Sequence, residues 1–206
     1  MPLLVPEQRT EAWKAAHVGR ITGSIAAACL GIDNYCSRQK AWRKIKGIEP
    51  ESTWPGMEYG NQHEPIARIA YEVETGNLVQ ETGFWVWNEE DWLGASPDGI
   101  IGLNGLLEIK CLASLPTRVP AKYLIQCRIQ CLVTGRPWCD FFVWHPEGTF
   151  LRRIHQAPTV GIAGLVMKLD EFRRKYVVAD QEPERKKPRR RPGGNVSTRN
   201  NDEEVL

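Results

Sequence analysis

Two carboxylates and an ammonium group crowd into the stretch PDGIIGLNGLLEIK, residues 97–110: Asp98 follows a proline, and Glu108 and Lys110 stand one residue apart in an otherwise apolar run. If residues 106–111 form a strand, side chains two apart share a face. Leu107, Ile109 and Cys111 then point one way, and Glu108 and Lys110 the other. Burying charge is costly unless it is paired or holds a metal, so the second face is either in water or built for chemistry. A hard cation such as Mg²⁺ takes oxygen ligands and keeps some water. Asp98 and Glu108 can supply carboxylates, and the backbone carbonyl of Ile109 a further oxygen. A lysine beside the ion can orient a water or hold the phosphate under attack, while the ion lowers the water's pKa and offsets charge building on phosphorus. This is the minimum equipment for metal-dependent phosphodiester hydrolysis. A bare P-D…E-x-K also arises by chance, as a turn aspartate followed by a solvated strand face.

Three further groups add weight. Glu64, in GNQHEPIAR, can supply a third carboxylate; the competing reading is a surface pair with Arg68 at i+4. Tyr123, Gln126 and Gln130 form a polar stripe on the helix after the motif, which on a lone helix would be a solvated face. GRITGS places Arg20, Thr22 and Ser24 at a helix start, where free N–H groups can take an anion, unless they serve only as caps.

The elements that must position these groups are legible in outline. TEAWKAAH (10–17) predicts a helix capped by Thr10, and Ser24 is placed to cap IAAACL, which Gly31 closes. SRQKAWRKIKG (37–47) predicts a basic helix between Ser37 and Gly47. Residues 55–76 carry Ile66, Ile69, Ala70 and Val73 at helical spacing, with Pro65 as a kink or restart. LVQETGFWVWN, WLGAS and GLLEIKC predict three strands of a meander. A helix over 120–135, strands over 139–144 and 149–155 joined at HPEG, and a helix over 159–178 complete the body. This order implies an α/β or α+β domain with a mixed sheet.

At 206 residues, 42% hydrophobic and 25% charged, the chain can bury one good core. It carries no apolar run long enough to span a bilayer. Its first residues lack the pattern of a signal peptide, so a cytoplasmic location is expected. The six cysteines form no C-x-x-C pair, and reduced, mostly buried thiols are expected; Cys127 and Cys131, one turn apart, lack the second half of a zinc site. The net charge of +2 resides in residues 181–206, with seven Lys or Arg against five Asp or Glu. A single domain over 1–180 and a basic, disordered tail over 181–206 are therefore expected, the run RKKPRRR (185–191) being solvated or making weak DNA contact. The eight tryptophans, including Trp54, read as core or subunit contacts.

The ordered set GRITGS, GNQHEPIAR, GASPDGII, LLEIKC and YLIQCRIQCLVTG resembles the phage lambda exonuclease (YqaJ-type, alkaline exonuclease) family of PD-(D/E)xK nucleases, over roughly residues 10–145. The resemblance implies a restriction-endonuclease-like α/β core, with a central mixed β-sheet flanked by helices. It implies a Mg²⁺-dependent 5′–3′ exonuclease on linear double-stranded DNA, with two ions per site and Mn²⁺ as a substitute. Processive action, a ring-shaped homotrimer and a single-strand annealing protein as partner come with it. Asp98, Glu108, Lys110, Glu64 and Gln126 match catalytic positions, and Asp98, Glu108, Glu64 and the Ile109 carbonyl match metal ligands. Ser24 and Ser96 match serines that receive the DNA 5′-phosphate. His17 stands where the family has an arginine, Arg20 is placed to take over that contact, and Arg118 is the nearest candidate for a second family arginine. Rival expectations are an endonuclease of the same core, junction-resolving or restriction type, and a non-catalytic DNA-end-binding scaffold. An iron–sulfur nuclease is disfavoured by where the cysteines fall.

Overall fold

The computed structural model describes residues 3–5, 7–50 and 55–184; Trp54 and residues 185–206, which include RKKPRRR, lie outside the described residues. A short strand β1 (Leu3–Val5) precedes helix α1 (Glu11–His17), which starts where Thr10 Oγ1 accepts the Trp13 N–H at 3.1 Å. Strand β2 (Ile21–Thr22) runs directly into α2 (Gly23–Cys29). Thr22 takes the N-cap position of α2, so Ser24 lies in its first turn instead of capping it. In α3 (Arg38–Ile45) the Ser37 hydroxyl accepts the Lys40 N–H, as its sequence implies.

Helix α4 (Pro55–Thr75) runs unbroken through Pro65. A proline at 65 removes the N–H that would reach the Asn61 carbonyl. Asn61 is exposed, so water can take that carbonyl and the helix continues. The expected meander is divided between two sheets. Strand β3 (Val79–Gln80) joins one sheet, while β4 (Phe84–Val86) and β5 (Leu93–Ala95) join the other. The segment after Asp98, assigned to no element from sequence, is itself a strand, β6 (Gly99–Ile101), in a tight hairpin with β7 (Gly105–Cys111). Then follow α5 (Ala121–Thr134), closed by Gly135 at φ +70°, and the hairpin β8 (Trp138–His145) and β9 (Gly148–His155). Helix α6 (Thr159–Phe172) continues into a π-helical turn, Arg173–Val178.

The larger sheet has the order β3-β6-β7-β8-β9, parallel only between β7 and β8. The smaller has the order β1-β4-β5-β2. Helix α4 covers one face of the larger sheet, packing Ala67 and Tyr71 on Leu107, Ile109 and Phe142. Helix α5 covers the other, packing Cys127 and Cys131 on Leu106, Phe141 and Val143. The far side of α5 meets α2, α3 and α6 through Ile129, Val133, Ile25, Trp42, Leu169 and Phe172. Strand β8 is thus buried on both faces, which its continuous apolar run requires. Its one acid, Asp140, is 2% exposed and accepts hydrogen bonds from Tyr71 Oη at 2.7 Å and from Arg153 at 2.8 and 2.9 Å.

All six cysteines are free, and four are fully enclosed. Residues 181–184 of the expected tail lie against the body, with Glu182 accepting from Arg43 Nε at 2.5 Å. No helix among the described residues is long and apolar enough to cross a membrane.

Candidate active site

Strand alternation sorts β7 as its sequence implies. Leu107 and Ile109 face α4, while Leu106, Glu108 and Lys110 face the α5 side. Glu108 is completely buried, yet both carboxylate oxygens are satisfied. Gln126 Nε2 donates to Oε1 at 2.7 Å and Gln130 Nε2 donates to Oε2, the two amides one helical turn apart on α5. Lys110 Nζ donates to the same Oε1 as Gln126. The other end of the Gln130 amide is fixed as well, because its oxygen accepts from Cys139 Sγ at 3.5 Å.

Asp98 sits where the chain enters β6. Its N–H donates to the Leu107 carbonyl at 3.0 Å, and its Oδ2 accepts the Ile109 N–H at 2.6 Å. The turn ahead of it is clamped from the N-terminal segment: Gln8 Nε2 donates to the carbonyls of Pro97 and Thr82, both at 2.8 Å. Glu64 comes from α4, with Arg9 Nη2 at 2.6 Å from Oε2 and Arg68 Nη2 at 3.3 Å from Oε1. Arg68 therefore makes the i+4 pair, and it also donates to Glu81 and to the Asp98 carbonyl at 3.4 Å. Arg9 adopts φ +65°, a sparsely populated conformation for a side-chain-bearing residue.

Glu64, Asp98, Glu108, Lys110, Gln126 and Gln130 line one cavity of about 430 Å³. Its electrostatics follow from burial and like charge. Burial first, and then the Asp98 carboxylate, push the carboxyl pKa of Glu108 upward against the pull of Lys110 and Gln130. Glu64 is raised by the same two causes, with Arg9, Arg68 and Lys110 opposing. For Lys110, burial disfavours the charge, but Glu108 and Asp98 outweigh it and hold the ammonium protonated. Three carboxylates, Asp98 repelling each of the other two, offer only hard oxygen donors and fit a divalent cation such as Mg²⁺ or Mn²⁺. Among the described residues no three acidic, histidine or cysteine side chains close into a ready-made metal cage. The carboxylates share the cavity, each with a donor from the protein.

The expected phosphate-binding residues divide. Ser24, Ser96, Arg20 and His17 line the same cavity. Ser24 Oγ lies 3.1 Å from Thr22 Oγ1, and Ser96 Oγ accepts from Trp13 Nε1 at 3.0 Å while donating to the Gly83 carbonyl at 3.1 Å. Arg20 donates to the Asp91 and Ala16 carbonyls at 2.8 and 2.9 Å. The His17 ring lies near Trp13 and Phe84, centroids 4.0 and 4.4 Å away, with Nδ1 2.7 Å from the Trp13 carbonyl. Burial lowers its pKa, partly countered by that carbonyl and aided by Arg20, so the ring favours the neutral form. Arg118 is exposed on the loop between β7 and α5 and does not line the cavity. Ile109 is 4% exposed and offers its N–H to Asp98; it too is absent from the cavity wall. Gln8 and Arg9 are site residues beyond those read from sequence, and Gln130, read there only as part of a polar stripe, joins Gln126 on Glu108. The i, i+4 spacing signals the glutamine pair; nothing local signals Gln8 or Arg9.

A family of YqaJ-like viral recombinase domains matches residues 12–137. No curated protein matches the chain. Among solved structures, an alkaline exonuclease from Laribacter hongkongensis is 29% identical, with a TM-score of 0.70 over 82% of this chain and 94% of its own. The same enzyme in complex with dAMP matches equally. A phage related exonuclease from Haemophilus somnus shares the fold at 16% identity, with a TM-score of 0.51 over 82% of this chain and 86% of its own.

Proposed function

Because the chain belongs to the family of YqaJ-like viral recombinase domains, we propose that it is a divalent-metal-dependent exonuclease that digests one strand of linear double-stranded DNA from 5′ to 3′. The observation that carries this reading is one cavity lined by Glu64, Asp98, Glu108 and Lys110. The similar alkaline exonuclease was solved with dAMP, which suits release of 5′-deoxynucleoside monophosphates here. The single-stranded 3′ overhang so produced would serve recombination by strand annealing with an annealing protein. A ring-shaped homotrimer and one catalytic domain over 1–180, followed by a basic tail, complete the proposal.

In the PD-(D/E)xK reading, Asp98, Glu108 and Glu64 would hold Mg²⁺, as two ions, with the Ile109 carbonyl as a further donor and Mn²⁺ as a substitute. When bound, such ions would supply an acidified water and an offset to charge on the phosphate. The chain's own groups do the rest. Gln126 and Gln130 hold both oxygens of Glu108 in place. Lys110, kept protonated by its acidic neighbours, orients the attacking water and contacts a phosphate oxygen. Arg20, Ser24 and Ser96 receive the 5′-phosphate beside neutral His17, and Arg118 would have to reach the DNA from its exposed loop.

Linear duplexes labelled at either end, with and without a 5′-phosphate, and a closed circle test end dependence, polarity and phosphate preference together. Loss of the 5′ label with the circle intact is expected, and Asp98→Ala should abolish digestion while remaining folded. Cutting of the circle would replace this reading with an endonuclease; undiminished digestion by Asp98→Ala would remove the assigned site.

A further inference from the structure

Catalysis leaves unexplained a row of alternating ammonium groups and aromatic rings that starts at the cavity. Lys110 Nζ lies 5.6 Å from the centre of the Tyr123 ring. Lys122 Nζ lies between two rings, 4.8 Å from Tyr123 and 4.7 Å from Tyr35. Tyr123 is anchored by stacking on Phe141 at 5.2 Å and 26°. Tyr35, at the far end, is 86% exposed. Its backbone is nonetheless held, since its N–H donates to Asp33 Oδ1 at 2.8 Å. That aspartate also stands 4.0 Å from Lys122, with its side chain 9% exposed against 27% for the lysine. Of the two side chains, the aspartate is the more enclosed.

We propose that Lys110, Tyr123, Lys122 and Tyr35 form a track for single-stranded DNA leading from the cavity, with bases stacking on the outer ring and phosphates meeting the ammonium groups. An aromatic face accepts any base, and cationic groups between rings follow the backbone without reading sequence. Both properties suit an enzyme that must unpair duplex of every sequence. A tyrosine left in water, oriented by a cation over its ring, offers an open face at no cost of unpacking. The track rests on the DNA-exonuclease reading and adds the partner that the surface next to the site would hold.

The test uses the full chain, a fluorescein-labelled thymidine oligomer and a blunt duplex of equal length, read by fluorescence anisotropy. Tyr35→Ala should weaken oligomer binding by about tenfold, with duplex affinity much less changed. Tyr35→Phe, which keeps the ring, should bind as the unaltered chain does. Lys122→Gln should weaken oligomer binding and lower the salt slope by about one. Oligomer affinity unchanged in Tyr35→Ala overturns the track, as does an equal loss on oligomer and duplex, which would mean a general backbone contact. Digestion of linear duplex by the unaltered chain is measured alongside. Its failure removes the nuclease reading, whereas digestion with Tyr35-independent oligomer binding removes the track alone.

Discussion

Replacing Gln130 by methionine isolates one hydrogen bond at the centre of the site. The side chain is 1% exposed, donates to Glu108 Oε2 and accepts from Cys139. Methionine nearly conserves the volume, so little cavity is created, but one oxygen of an enclosed carboxylate loses its donor. Hydrogen bonds to charged groups contribute about 1.5–3 kcal/mol. Glu108 keeps Gln126 and Lys110, which places the loss at the low end, about 1.5–2 kcal/mol. For a body of this size each kcal/mol lowers the melting temperature by about 2–4 °C, giving a fall of roughly 3–8 °C. A freed Glu108 also swings relative to Asp98, and small misplacements of reacting groups are costly, so digestion should slow by about tenfold or more. Thermal melts followed by circular dichroism and digestion of an end-labelled duplex read the two effects. A melt within about 1 °C of the unaltered chain, with digestion also unchanged, would refute the assignment of Gln130 as a clamp on Glu108.

Tyr71→Phe removes the hydroxyl that donates to buried Asp140 but leaves both Arg153 bonds; urea unfolding should show a loss of about 1–2 kcal/mol, with digestion unchanged. A fall in rate like that of Asp98→Ala would mean that this network is not separate from the site. Mg²⁺ should raise the melting temperature of the unaltered chain, by about 2.7 kcal/mol of stability at a hundredfold excess over its Kd. Asp98→Asn should abolish that rise, and a rise that persists places the ion elsewhere. His17 has a folded-state pKa below its ordinary value, so its contribution is complete above the unfolded pKa, about 6.5, and is lost as pH falls through that value toward the folded one. His17→Phe should therefore melt with a shallower decline on acidification, and an identical decline would show that another group sets it.

What could be read from the sequence follows from distance along the chain. Strand alternation in GLLEIKC needs only neighbours, and it correctly puts Glu108 and Lys110 on the face opposite Leu107 and Ile109; that α5 covers this face is not local. The caps at Thr10 and Ser37 and the left-handed Gly135 are equally local. The division of residues 78–96 between two sheets is not. Val79 and Gln80 pair with β6, whereas Phe84–Val86 pair with β1 and β5, and nothing within the segment distinguishes those partners. β6 is missed for a related reason, since GII between Asp98 and Gly102 is too short to register as a strand. Gln8 clamps carbonyls at Thr82 and Pro97, far along the chain, with no periodicity to announce it.

The charge balance of the cavity shows why a short motif describes only part of such a site. Burial pushes the carboxyl groups of Glu64 and Glu108 upward, and the Asp98 carboxylate adds to the push on each. The compensating cations come from three places: Lys110 from the motif strand, Arg68 from α4, and Arg9 from the segment before α1. Only the first lies within P-D…E-x-K. A chain that kept the motif but lost Arg9 and Arg68 would leave Glu64 half-buried against Asp98 with Lys110 alone as counter-charge, which favours protonation of the carboxyl or its turning to solvent. The Arg9 guanidinium is 56% exposed, so its pair with Glu64 adds little to stability. Its strained backbone, beside the Gln8 clamp on Pro97, is better explained by aim: the N-terminal segment fixes the Asp98 turn with one side chain and points the next at Glu64. The stretch ahead of α1 is thus part of the site, although no residue in it resembles a catalytic one.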